Sequence, residues 1–269
     1  MRTRKQFPLG LIGCGHMGFA IARGAVRKEY LERYQIAVCD PSEEVQKQCR
    51  IEGYTVMNSV REIAEECHIV LLAVKPQEIG PVLEELKGAK ITTLLSIVTG
   101  VSIARLQSVL GKVPVIRAMP NTPLQLSEGS TAMCKSEECR ADEYDFVFQL
   151  FNSMGVTRTV PEAQINASVA VHGSTPAYVY YFAECLINDA VARGMDEEAA
   201  RALIVQTIIG AGSLLQSDSR RPISSFIDEV CSKGGTTIEA IQSLKENGLA
   251  DILHTASEKC IQRAEELGD

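Results

Sequence analysis

The stretch Phe7-Pro8-Leu9-Gly10-Leu11-Ile12-Gly13-Cys14-Gly15-His16-Met17-Gly18 decides the fold of this chain. A short apolar run ends at a glycine, three glycines follow in GxGxxG spacing, and a helical pattern runs from His16 to about Glu29. A continuous apolar run bounded in this way marks a strand buried on both faces. Between a strand and a helix each glycine has a task. The first makes the tight turn, the second lets the backbone approach a pyrophosphate, and the third lets the helix pack on the strand. The helix N-terminus behind them faces the phosphates. The motif in this setting reads as a dinucleotide-binding loop contacted through Gly13, Gly15, His16, Met17 and Gly18.

Working outward, strand signals recur at Gln35–Cys39, Tyr54–Val56, Ile69–Val74, Thr92–Val98, Val113–Ala118, Ser130–Cys134 and Val156–Val160. Helical patterns separate them at Glu43–Arg50, Ser59–Glu66, Ile79–Leu86, Ser102–Leu110 and Glu137–Phe151. Alternating strands and helices with continuous apolar strands predict an α/β, doubly wound domain with a parallel sheet, its last one or two strands running antiparallel. After Pro161 the strand signals stop. Helical patterns fill Ala163–Arg193, Asp196–Ser217, Ile223–Val230, Thr237–Asn247 and Leu249–Leu267, with Gly194, Gly234-Gly235 and Gly248 between them. The expected organisation is a doubly wound domain over residues 1–161 and an all-helical domain over 162–269. Helices this apolar need cover, and a second subunit is the simplest source, so the helical half predicts a homodimer or larger homo-oligomer.

The 269 residues fit about two domains at roughly 150 residues each. A net charge of −7 argues against nucleic acid or anionic membrane as the main partner. The nine cysteines form no CxxC and no zinc spacing and sit mostly in apolar stretches, which reads as reduced thiols of a cytoplasmic protein. His16, His68, His172 and His254 form no HxH or HExxH, so no metal site is expected. The basic N-terminus runs into the glycine motif without an apolar h-region, so it is not read as a signal peptide. The charge-free stretch Ala163–Ala183 carries Gln164, Asn166, His172 and Pro176, and is read as buried helix rather than a membrane span.

Three further features carry chemistry. Asp40 closes the second strand. Either its carboxylate bonds an adenosine ribose diol and repels a 2′-phosphate, favouring NADH over NADPH, or it merely caps the helix starting at Pro41 while Ser42 and nearby donors accept a phosphate. Ser232-Lys233-Gly234-Gly235-Thr236-Thr237 runs directly into a helix start, and its N–H groups suit a carboxylate. The alternative is a flexible turn whose helix Thr236 or Ser232 caps. Arg117-Ala118-Met119-Pro120-Asn121-Thr122-Pro123 is a stiff loop at a strand's C-terminal end, where open α/β sheets bind ligands. A rigid turn with a self-bonded Asn explains it equally well.

Taken in order, these blocks with Ala73-Val74-Lys75-Pro76 and Gly173-Ser174-Thr175-Pro176-Ala177-Tyr178 resemble the pyrroline-5-carboxylate reductase family over nearly the whole chain. The resemblance implies a Rossmann-type domain followed by a helical dimerisation domain. It also implies NADPH- or NADH-dependent reduction of Δ1-pyrroline-5-carboxylate to L-proline, and a dimer that commonly assembles into a decamer. It places Ala73, Val74, Lys75 and Pro76 along the cofactor's ribose and nicotinamide, Asn58 at the adenosine end, and Asn121 near the nicotinamide and substrate. Val230, Ser232, Gly234, Gly235, Thr236 and Thr237 surround the substrate, with the Thr237 hydroxyl on the ring nitrogen.

The chain departs from the family pattern in places. Lys233 stands where proline is usual, and His172 where serine is common. Ser96-Ile97-Val98-Thr99-Gly100 replaces a smaller run, and Arg220–Val230 lacks a His-Pro-Gly. Two other readings stand beside the first: a reductase of a related cyclic imino acid, and a non-catalytic dinucleotide-binding member. A β-hydroxyacid dehydrogenase would need a lysine on the long helix entering the second half, and no lysine occurs from Ser136 to Ser232.

Overall fold

The computed structural model describes residues 5–268. The reading of the N-terminus as lacking a signal peptide falls partly on residues 1–4, outside the described residues. Eight strands form one sheet in the order β3-β2-β1-β4-β5-β6-β7-β8. They are β1 Phe7–Ile12, β2 Ile36–Cys39, β3 Thr55–Val56, β4 Cys67–Leu72, β5 Thr93–Ser96, β6 Val115–Pro120, β7 Gly129–Lys135 and β8 Gly155–Thr159. The first six strands are parallel; β7 is antiparallel to β6, and β8 follows β7. The order 3-2-1-4-5-6 is that of a dinucleotide-binding doubly wound sheet.

Helices α1 His16–Arg27, α2 Glu43–Ile51, α3 Val60–Glu66, α4 Ile79–Leu86, α5 Ile103–Leu110 and α6 Ala141–Asn152 connect the strands. One face of the sheet packs against α1 and α6 through residues such as Ile21, Val147 and Phe151. The other packs against α3, α4 and α5 through Ile63, Leu83 and Leu106. With both faces covered, strands such as β1 are fully apolar rather than alternating. The helix expected from Glu137 begins at Ala141 instead. Ser136 to Cys139 make a turn in which Ser136 Oγ accepts from Val115 N and the Glu138 carboxylate accepts from Gln107 Nε2.

The single helix expected over Ala163–Arg193 is broken. A turn of 3₁₀ helix at Glu162–Gln164 leads into α7 Ile165–Ser168, then a π-helical turn Val169–Gly173, then α8 Thr175–Ala192. The Ser174 N–H donates to Val169 O at 2.7 Å, the i→i+5 bond that inserts one residue. The remaining helices are α9 Glu197–Ser217, α10 Ile223–Val230, α11 Thr236–Glu246 and α12 Leu249–Glu266. By packing, the chain divides into a sheet unit, residues up to Pro176 with Lys259 onward, and a helical unit, Ala177–Glu258. That line differs from the change of texture at residue 161, because Ile165, Val169 and Ala264 are buried in the sheet unit's core.

All nine cysteines are free, and only Cys185 is exposed. Burial pushes the Cys67 thiol up to about 12, as expected of an inert core thiol. Among the described residues α9, rather than the stretch at Ala163, is the one helix long and apolar enough to cross a membrane.

Candidate active site

At the C-terminal edge of the sheet the glycine loop has the shape its spacing implies. Gly13 has φ +86°, and a Cβ there would lie 2.8 Å from the carbonyl oxygen of Ala73. A Cβ on Gly18 would lie 2.7 Å from Gly13 O, so α1 meets the turn at backbone distance. A Cβ on Gly15 would meet nothing within 4 Å. Gly15 therefore borders open space, and it is the N-cap of α1 with no side-chain cap. The free N–H groups of the first turn, His16 to Gly18, are left for a ligand. A concave glycine turn with an uncapped helix behind it fits a pyrophosphate.

Two neighbouring strands bring their residues to this loop. Ala73 N donates to Ile12 O at 2.9 Å, which fixes Ala73, Val74, Lys75 and Pro76 beside it; Lys75 is exposed and caps a short 3₁₀ turn at Pro76–Glu78. On the other side, the two carboxylate oxygens of Asp40 accept from Cys14 N (2.8 Å) and Ser42 N (2.9 Å). Asp40 therefore ties the glycine loop to the β2–α2 turn. It is not the cap of α2: that is Ser42, whose hydroxyl accepts from Val45 N at 3.4 Å. Each Asp40 oxygen retains a second lone pair for a ribose hydroxyl. Asn58 lies one strand further out and is exposed, since Met57 N bonds Val38 O and sets it across from the end of β2.

Asn121, at the end of β6, is 8% exposed and its amide is engaged by protein. Nδ2 donates to Ser130 Oγ (3.0 Å) and to the carbonyl of His172 (3.1 Å), and Oδ1 accepts from Ser130 N (2.8 Å). It clamps the π turn to the antiparallel β6–β7 pair. Next to it, Arg117 is 2% exposed and donates to Asn166 Oδ1 at 2.7 Å, with Glu162 Oε1 at 3.4 Å. Burial lowers the Arg117 pKa, and Glu162 opposes that shift. Sequence reasoning quoted Arg117 and Asn121 but missed these partners, which lie up to 51 residues away. Both ring nitrogens of His172 are buried and have no hydrogen-bond partner among the described residues, and burial lowers its pKa.

In the helical unit, Gly234 has φ +71° and Gly235 is the N-cap of α11 with no side-chain cap. Neither Thr236 nor Ser232 caps the helix. The first-turn N–H groups of α11 are thus free, as they are at α1. Thr237 is half-buried in that turn, Lys233 is exposed, and Val230 ends α10 with 65% exposure. Gly235 N donates to Ser232 O at 2.9 Å, which closes the loop. The structure thus gathers most of the predicted residues into two clusters, Gly13–Gly18, Asp40 and Ala73–Pro76 in the sheet unit and Val230–Thr237 in the helical unit, and leaves Asn58 and Asn121 outside both.

A doubly wound sheet whose glycine loop leaves α1 uncapped, followed by a helical unit with a second such loop, defines a dinucleotide-dependent oxidoreductase of two parts. The comparisons with known proteins give the particular one. Residues 162–267 match the family model for the pyrroline-5-carboxylate reductase dimerisation domain, and residues 8–100 match that for coenzyme F420-dependent NADP oxidoreductases. Pyrroline-5-carboxylate reductase 3 of Danio rerio is 34% identical over 98% of this chain and 92% of its own length. The Escherichia coli pyrroline-5-carboxylate reductase is 33% identical over 96% and 97%. The crystal structure of the Plasmodium falciparum pyrroline carboxylate reductase with NADP bound superposes with a TM-score of 0.89 at 28% identity, over 99% of this chain and all of that one. The chain belongs to the pyrroline-5-carboxylate reductase family.

Proposed function

We propose that this protein reduces Δ1-pyrroline-5-carboxylate to L-proline with NAD(P)H, preferring NADH. The observation that carries the reading is the pair of glycine loops, each leading into a helix that no side chain caps. One suits a pyrophosphate and the other a carboxylate. When bound, the nicotinamide would supply the hydride from its C4 to the imine carbon, while a proton drawn from solvent completes the ring N–H of proline. The chain's own residues hold and orient. Gly13, Gly15 and the N–H groups of His16 to Gly18 cradle the pyrophosphate, Ala73 to Pro76 line the ribose and nicotinamide side, and Asn58 meets the adenosine end.

The backbone of Gly234 to Thr237 holds the substrate carboxylate, with Ser232 and Val230 flanking it. The Thr237 hydroxyl donates to the ring nitrogen. A threonine hydroxyl is too weak an acid to deliver a proton outright, so it fixes the ring for attack. Asn121 acts by holding the end of β6 in place, as a positioning residue. Asp40, Glu43 and Glu44 put three acids and no cation in the β2–α2 turn and the first turn of α2. A 2′-phosphate would be repelled there, which supports NADH. Apolar residues exposed on α8 and α9, such as Tyr181 at 68% and Leu203 at 62%, support covering by a second copy. The family resemblance extends this to a decamer working in the cytoplasm on proline supply.

Lys233, exposed where the family has proline, favours a second reading: a related cyclic imine with its carboxylate placed differently. Turnover across five- and six-membered imines with the carboxylate at either side of the nitrogen tests both. Fastest reduction of pyrroline-5-carboxylate, faster with NADH than NADPH, is the expected result. A higher kcat/KM for another imine overturns the substrate, and a strong NADPH preference overturns the role of Asp40.

A further inference from the structure

Arg117 stands where the strand pattern calls for an apolar side chain. Val115 and Met119, two residues to either side in β6, belong to the core face that meets α3, α4 and α5, and alternation puts Arg117 on that same face. Its register neighbours are Ser96 of β5 and Cys134 of β7, both buried. The guanidinium is poorly served there. Nε is buried and has no hydrogen-bond partner among the described residues. Nη1 is 3.4 Å from Glu162 Oε1, an oxygen that already accepts from Ile103 N at 2.7 Å. The one close bond is from Nη2 to Asn166 Oδ1, at 2.7 Å. A buried cation paired this incompletely stabilises little, and an apolar side chain in its place is often neutral or better. Stability does not account for an arginine at this position.

What the arginine grips does. Asn166 lies in α7, just before the π turn Val169–Gly173. Asn121, four residues after Arg117, holds the far end of that turn through the His172 carbonyl at 3.1 Å. The end of β6 therefore holds the inserted residue from both sides. Single π turns inside helices occur mostly at functional sites. Without the bond at Asn166, α7 is free to rotate by one residue, about 100°, and to absorb the insertion. The His172 carbonyl would then leave Asn121, at the sheet edge where ligands of open α/β sheets bind.

We propose that Arg117 is a positioning residue for hydride transfer: through Asn166 it sets the register of the π turn and thereby the placement of Asn121. The inference rests on the reductase reading. Its test compares Arg117→Met, Asn166→Leu, Asn166→Asp and the double variant Arg117→Met/Asn166→Leu with the parent protein. Arg117→Met should lower kcat by about tenfold or more, with the melting temperature unchanged or higher and dinucleotide affinity within about twofold. Asn166→Leu should lower kcat as much and lower the melting temperature too, because it strands a buried cation. Asn166→Asp keeps the acceptor oxygen and should keep kcat within about twofold. In the double variant kcat should be no lower than in either single one, since both remove the same bond. An unchanged kcat in Arg117→Met, a loss that only tracks a fall in melting temperature, or additive losses in the double variant would each overturn the proposal. Hydrogen exchange needs no turnover: the Ser174 amide, bonded to Val169 O, should exchange about tenfold faster in Arg117→Met, and equal exchange would also overturn it. A parent protein without turnover would strike the reductase reading instead. Should Arg117→Met fail to fold, the contrast between Asn166→Asp and Asn166→Leu decides.

Discussion

In the sheet unit Leu9, Leu11, Ile69, Leu71, Leu94 and Leu95 are fully buried; in residues 177–258 only Ala200 is buried. Apolar side chains are plentiful in both. Leu203 and Leu214 of α9 each stand 62% exposed, and Tyr180 and Tyr181 of α8 stand 65% and 68% exposed. Covering one such side chain contributes about 1.5–3 kcal/mol. The sheet unit finds its cover within the chain, because strands β1 to β6 are sandwiched between helices. The helical unit must find its cover in another chain. The same contrast separates the two glycine loops. Gly13 is braced by the backbone of Ala73 and by Asp40, whereas Gly234 borders open space. One loop is held by its place in a sheet, and the other stands open.

The largest expected effect breaks that dependence. Leu203 and Leu214 are 11 residues apart, hence within about 20° of one helix face. Leu203→Glu with Leu214→Glu should leave a monomer by light scattering, with turnover abolished and dinucleotide affinity within about twofold of the parent. An oligomer that survives both charges would show that α9 is not the covered face. Gly13→Val should act in the opposite way. A β-branched side chain at φ +86° facing the Ala73 carbonyl should weaken dinucleotide binding about 100-fold, roughly 2.7 kcal/mol, without changing the oligomer.

Thr237→Ala should lower kcat/KM by about tenfold or more and leave dinucleotide affinity unchanged, with Thr237→Ser recovering most of the loss. An unaltered kcat/KM would remove Thr237 from the mechanism. The smallest effect belongs to His172. Its folded pKa lies below the ordinary imidazole value because of burial, so the unfolded chain binds the extra proton first. The neutral folded form is favoured above about pH 6.5, and stability should fall as the pH drops through that value toward 5. His172→Asn should flatten that part of the profile of melting temperature against pH. Equal slopes in the two proteins would mean the imidazole is solvated when folded.

Much of this was legible in the residues. Every strand is recovered within about two residues of its expected bounds, because buried parallel strands are written as unbroken apolar runs. The glycine loop and Asp40 were visible because their spacing is a backbone requirement. The π turn at Val169–Gly173 was not, since one inserted residue leaves the helical pattern of Ala163–Arg193 almost intact. The bonds of Asn121 to Ser130 and to the His172 carbonyl were hidden for another reason: they depend on the antiparallel register that pairs Pro120 with Thr131. Asp40 could be read as a cap or as a ligand from sequence. It took the third dimension to show that Ser42 caps α2 while Asp40 grips Cys14 N.

The central claim is that this chain is a proline-forming reductase. It is tested most directly by following cofactor oxidation and L-proline formation side by side, with Δ1-pyrroline-5-carboxylate and either reduced nicotinamide cofactor. One proline per cofactor oxidised, with the greater rate on NADH, is the predicted result. No proline from folded protein that still binds the dinucleotide would contradict it, and would make this chain either a reductase of a different imine or a member of its family that binds the cofactor without turning it over.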